Sequence, residues 1–293
     1  MDPKILFIIT SSVKSQKLLK RTEFQTFQQL VGLFDTVTSI NNFAPNQDIL
    51  ICEMGENWTE EYHTLLNNFN NVTIQNYNKD NNIIQHNRHR LVEYVNGIVK
   101  NDKIIKKVRD GKLRIRLKSV DIPGLGKIDE NYVQKISLQY AYFLKNIYIK
   151  ALCQTYTLND LFKKNLLKDY DYVIVMNRGY SLSPFFNVKN VIKENKIVFK
   201  QYKNFYYSNK IPLIRDYIGD KNEAYISNFW SFDTNIVEKL STQFNDLYNQ
   251  MIKNCREFYL PSLEHHLYKY IDKELIHKVD KLDIISKQQK EII

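Results

Sequence analysis

The chain has 293 residues and a mass of 35.0 kDa, enough to bury one large core or two modest ones, and a single α/β domain with embellishments is the simpler reading. An aromatic fraction of 13% and a hydrophobic fraction of 43% exclude a mainly disordered chain, and no run approaches the ~20 apolar residues of a membrane span. The formal charge of +10 favours anionic ligands in general (nucleotides, phosphates, acidic polymers or lipid headgroups) without choosing among them, and enrichment in Lys and Asn is equally what AT-rich coding produces.

Cys52, Cys153 and Cys255 are odd in number, widely spaced and form no CxxC, which predicts a reducing compartment, taken as the cytoplasm, without structural zinc. The apolar run from Ile5 to Ile9 is too short for the core of a signal peptide and follows Asp2-Pro3. The sequons at Asn57 and Asn71 are then incidental.

Lys4 to Ile9 reads as a buried parallel strand ending in the polar turn Thr10-Ser11-Ser12. Residues 18–34 follow as an amphipathic helix presenting Phe24, Phe27, Leu30, Val31 and Phe34. A second strand, Asp48 to Cys52, ends at Glu53, and Thr59 can cap a helix over 60–69 before a third strand, Val72 to Gln75. Three strands alternating with two helices predict a mainly parallel, doubly wound sheet.

Residues 78–130 read as an inserted, charged segment. It includes His86 and His89 with Glu93 a turn later, a spacing open to a metal but equally that of a solvated face. It also includes a basic run from Lys100 to Lys118, open to nucleic-acid phosphates but more simply a solvated surface. Two further helices are expected over 130–152 and 158–167, leading into the apolar strand Tyr172 to Met176. Beyond it, helices are expected over 187–194 and 232–253, with a last one opening at Pro261. The domain is placed at 1–270, with 271–293 as a C-terminal tail, loosely held from Asp280 onward.

In open α/β sheets ligands bind beyond the carboxyl ends of the strands. That rule selects Thr10, Ser11, Ser12, Glu53, Asn177 and Arg178 as ligand-binding candidates. Arg178 can grip a diphosphate or carboxylate with its planar fork, or equally pair with a neighbouring Asp to hold the turn. Neither a GxGxxG after the first strand nor a Walker sequence occurs, which disfavours classical NAD and ATP folds.

The order Gln139-Tyr140-Ala141-Tyr142 with Lys145 on a long helix, then Tyr170-Asp171-Tyr172-Val173-Ile174 and Arg178, resembles a GT-A-like glycosyltransferase family of large DNA viruses and bacterial polysaccharide clusters. Trp230-Ser231-Phe232-Asp233 and Leu263-Glu264-His265-His266-Leu267 are similar to later segments of that family, so the resemblance runs over residues 1–77 and 130–270. It implies a GT-A-like fold, a nucleotide-sugar donor, a glycan or protein acceptor and, for a viral chain, the host cytoplasm.

Sugar transfer with inversion needs a carboxylate to take the acceptor proton, and Asp233 and Glu264, each at an expected helix start, are the catalytic candidates. The helix macrodipole alone would also favour acidic residues there. One departure concerns the metal. Where the family has Asp two residues after the arginine this chain has Tyr180, and Asp169-Tyr170-Asp171 precedes the strand. No metal ligand is therefore assigned, dependence on Mn or Mg stays open, and Arg178 with nearby lysines is a candidate to neutralise the diphosphate instead. The competing reading is a non-catalytic basic α/β module that binds nucleic acid or polysaccharide.

Overall fold

A computed structural model describes residues 2–13, 23–55, 63–64, 66–77, 121–122, 126–127, 150–202, 224–257 and 263–286. The main strands are β1 (Ile5–Ser11), β2 (Asp48–Glu53), β3 (Val72–Asn76) and β4 (Tyr172–Asn177), followed by the short β5 (Tyr180–Leu182). Then come β6 (Ile197–Tyr202), β7 (Ala224–Tyr225), β8 (Phe229–Asp233), β9 (Ile276–Val279) and β10 (Ile284–Ser286). The helices are α1 (Glu23–Phe43), α2 (150–162), α3 (Val237–Glu257) and α4 (Leu263–Tyr270).

The central sheet runs β9-β6-β8-β4-β1-β2-β3, with β7 attached to β6. β1 is parallel to both β2 and β4, and β2 to β3, while β8 runs antiparallel to β4 and β6. The expected mainly parallel sheet is therefore present, with all four segments anticipated for it lying side by side in order 3-2-1-4.

Period-two alternation sends the strands' side chains to two cores, one on each face. Leu6, Ile8, Val173, Val175, Trp230 and Phe232 join α2, α3 and α4 on one face. Ile5, Phe7, Ile9, Ile174 and Met176 join α1 and the C-terminal residues Leu282 and Ile284 on the other. Burial on both faces is why these strands read as continuous apolar runs.

The helices depart from expectation in instructive ways. α1 extends to Phe43 and turns Leu30, Leu33, Val37 and Ile40 inward, leaving Phe24, Phe27 and Val31 exposed. α2 is one helix across the expected break at 152–158 and is buried along most of its length. Residues 187–194 hold only a short 3-10 turn, Val188–Asn190, begun by the Asn187 side chain accepting from the Lys189 N–H. Residues 229–233 are strand, and α3 begins only at Val237 after the 3-10 turn Thr234–Ile236.

Residues 276–286 of the supposed tail are also part of the fold. β9 pairs in parallel with β6 at the edge of the main sheet, and β10 pairs antiparallel with β5. Of the inserted segment 78–130, only a two-strand pairing of Asp121–Ile122 with Gly126–Lys127 is described. His86, His89, Glu93, the run from Lys100 to Lys118 and Gln139 to Lys145 lie outside the described residues.

Candidate active site

Register fixes which residues meet. Thr10 is opposite both Cys52 and Asn177, and Ser11 is opposite Glu53, so the polar ends of β1, β2 and β4 share one sheet edge. Because β8 is antiparallel, its first residue Phe229 pairs with Met176 at that same edge. Ser227 and Asn228, just before it, therefore come to the site. Its last residue, Asp233, pairs with Tyr172 at the opposite edge.

A cavity of about 510 Å³ opens at this edge. Thr10, Ser11, Ser12, Asn177 and Arg178 line it, as the strand-end rule predicts, and Glu264 reaches it from the first turn of α4. The sequence reading missed Lys150 and Gln154 on α2, Gly179 and Tyr180 in the turn after β4, and Asn228. Asn228 was hidden because β8 was not read as a strand, its last two residues being given to the helix expected over 232–253, and Gln154 because it fell in the expected break between two helices.

A chain of hydrogen bonds stiffens the wall. The Thr10 hydroxyl donates to Asn177 Oδ1 at 2.6 Å, Asn177 Nδ2 donates to Asn228 Oδ1 at 2.6 Å, and Asn228 Nδ2 donates to the Tyr180 phenol oxygen at 2.8 Å. The turn carrying Arg178 is fastened to α1. The Gly179 N–H donates to Thr36 Oγ1 at 3.1 Å, and that hydroxyl donates to the Tyr180 carbonyl at 2.8 Å. Gly179 has φ of +86°, a backbone conformation that suits a residue without Cβ. Across the cavity, the Ser227 hydroxyl donates to Glu264 Oε1 at 2.5 Å, and Gln154 Nε2 donates to the Ser227 carbonyl at 3.3 Å. One carboxylate oxygen is thereby fixed in place.

Two expected roles need correction. Glu53 stands at the right edge but turns inward, fully buried, where its carboxylate accepts from the N–H groups of Val13 (2.9 and 3.1 Å) and Gly55 (2.7 Å). Buried carboxylates must find donors, and these peptide groups supply them, so Glu53 ties the loops after β1 and β2 together rather than meeting a donor ribose. Burial pushes its carboxyl above the usual range, opposed by hydrogen bonding with Ser11, Val13 and Gly55 and by the charge of Arg178. Asp233, the second catalytic candidate, lies across the sheet from the cavity. There its carboxylate accepts from the N–H of Asn195 (2.7 Å) and the N–H of Asn235 (2.8 Å), a capping role.

Among the described residues, the groups at this edge do not suit a divalent metal. Hard cations take about six oxygen ligands, usually including carboxylates. Among the described residues, Glu264 is the one carboxylate lining the cavity, and no cluster of three or more His, Cys, Asp or Glu could hold a metal ion. The Cys52 thiol in the wall is pushed up by burial and so is kept protonated.

No protein-family model and no curated protein sequence matches the chain. Solved structures do match in fold. One is core-mannan synthase A of Aspergillus fumigatus in its Mn/GDP form, with a TM-score of 0.50 and 11% identity over 94% of this chain and 73% of that one. Another is the mannosyltransferase Ktr4p of S. cerevisiae, with a TM-score of 0.51 and 9% identity over 95% of this chain and 69% of that one. At such identity the likeness is one of architecture, and the chain has the mixed, mostly parallel sheet of GT-A-type glycosyltransferases, with its cavity at the carboxyl ends of β1, β2 and β4.

Proposed function

We propose that this protein moves a sugar from a nucleotide-sugar donor to a glycan or protein acceptor, in the reducing compartment expected from its cysteines. One observation carries the reading: a cation at the end of β4, Arg178, and a held carboxylate on α4, Glu264, face one cavity at the sheet edge where this fold class binds ligands. The donor diphosphate lies against Arg178, whose planar fork matches phosphate oxygens. Glu264 takes the proton of the acceptor hydroxyl as that oxygen bonds to the anomeric carbon. The bond from that carbon to the phosphate oxygen breaks, its electron pair leaves with the nucleoside diphosphate, and Arg178 offsets the charge that develops. Ser227 holds Oε1 of Glu264, leaving Oε2 to meet the acceptor.

The test is a thermal-shift panel of UDP-, GDP-, CMP- and dTDP-sugars, with and without manganese. A donor at a hundred times its dissociation constant stabilises the folded state by about 2.7 kcal/mol, a readily measured rise in melting temperature. We expect one donor class to stabilise the wild type and Glu264→Gln alike, with sugar transfer confined to the wild type. No shift with any donor at millimolar concentration would remove the reading, and a shift without transfer to any acceptor would reduce the protein to a binding module.

A further inference from the structure

Resting on the transferase reading above, we propose that the donor diphosphate is held by the side-chain cations Arg178 and Lys150, so that a nucleoside diphosphate binds this cavity without a divalent metal. The wall at the ends of β1 and β4 offers neutral groups: the hydroxyls of Thr10, Ser11 and Ser12 and the Asn177 side chain. The Asn177 side chain is already engaged on both its atoms, with Oδ1 accepting from Thr10 and Nδ2 donating to Asn228. Two residues beyond Arg178, Tyr180 brings a neutral phenol, which accepts from Asn228. Glu53 is turned into the protein and spends its oxygens on peptide N–H groups. Glu264 has Oε1 engaged by Ser227. Among the described residues, a dication placed here would meet one carboxylate and the repulsion of a guanidinium.

An anion meets the reverse. Arg178 and Lys150 approach the cavity from separate elements, the β4–β5 turn and α2. The turn is held by hydrogen bonds on either side of Arg178, from Asn177 to Asn228 and from Gly179 to Thr36, so the backbone that carries the guanidinium is already ordered before the ligand arrives. An arginine fork and a lysine point charge together can satisfy the oxygens of two phosphates without a bridging ion.

The experiment uses GDP and UDP themselves, measured by calorimetric titration in EDTA and then in millimolar MnCl₂, so that neither acceptor nor turnover enters the readout. We expect one of them to bind with the same dissociation constant in both buffers. Arg178→Met and Lys150→Met should each raise that constant, for Arg178 by roughly ten- to a hundredfold, and Arg178→Lys by less than Arg178→Met. Melting curves without ligand establish that the variants are folded, and Lys150 is exposed, so its replacement leaves the core intact. Binding that needs manganese would overturn the proposal while leaving the transferase reading standing, and so would binding in EDTA that both methionine variants retain in full. Absence of binding of either nucleotide in either buffer would overturn the proposal, while the transferase reading would still be decided by the sugar-nucleotide panel.

Discussion

The Glu53 carboxylate accepts from two peptide N–H groups and lies in the field of a guanidinium, yet burial outweighs these and raises its pKa. Just above the ordinary carboxyl value the folded chain holds a proton that the unfolded chain has released, so stability is fully present below that value and is lost as pH rises through the raised one. Glu53→Gln cannot ionise. Between about pH 5 and about pH 8 the wild type should therefore lose more melting temperature than the variant, although the variant starts lower because its amide NH₂ would face peptide donors. Parallel slopes for the two proteins would contradict the direction of the shift. For Glu264→Gln, loss of general-base help should lower kcat by roughly 10²- to 10⁴-fold with donor affinity kept, as read by steady-state kinetics beside the binding assay. Asp233→Ala should do the opposite, costing about 1–2 kcal/mol in denaturant melts through the lost caps at Asn195 and Asn235, with donor affinity unchanged. Full loss of transfer in a stably folded Asp233→Asn protein would return that residue to the chemistry.

At the scale of elements, the turn between β4 and β5 aims Arg178, and Gly179 at φ +86° makes that turn. A methyl added there would meet nothing within 4 Å, so the cost of Gly179→Ala is backbone strain alone, about 1–2 kcal/mol, and it should weaken donor binding by displacing its neighbour Arg178. Equal donor affinity in that variant would show that the turn does not aim the guanidinium. β1, β2 and β4 were legible because each is a short apolar run buried on both faces and stopped by polar residues, and the strand-end rule then found Thr10, Ser11, Ser12, Asn177 and Arg178. β8 was not legible. All five of its residues are buried, so it shows no alternation, and no Gly or Pro separates it from α3, where the Asp233 side chain makes the break. The inward face of α1 was masked for another reason. Thr36 and Ser39 are buried there because their hydroxyls serve the backbone of β5 and the turn before it, while Phe24 and Phe27 supply apolar letters on the outward side. Asp233 and Glu264 looked alike as acidic residues at helix starts. Only the direction of β8, a long-range pairing that no local pattern encodes, sends one of them to the far edge.

On the scale of the whole molecule, the C-terminal residues close the structure around the site. β9 completes one edge of the main sheet by pairing with β6, and β10 pairs with β5, the strand that leaves the Arg178 turn. The Ser183 N–H also donates to the Asp283 carbonyl at 3.0 Å. Leu275, Leu282 and Ile284 are buried, the last two in the core that contains α1 and the inner face of β1. Each such side chain contributes about 1.5–3 kcal/mol on burial. Together they rival the stability of a typical domain, about 5–15 kcal/mol. A chain ending after Tyr270 should therefore lose its cooperative thermal transition, whereas one ending after Ser286 should melt as the full chain does and bind the same nucleotide. Circular dichroism melts of the two truncations, followed by titration with GDP and UDP, decide it. A chain cut at Tyr270 that melts cooperatively at the full-length temperature would show that β9 and β10 decorate the sheet rather than hold it, and one that also kept full nucleotide affinity would remove β10 as the support of the Arg178 turn.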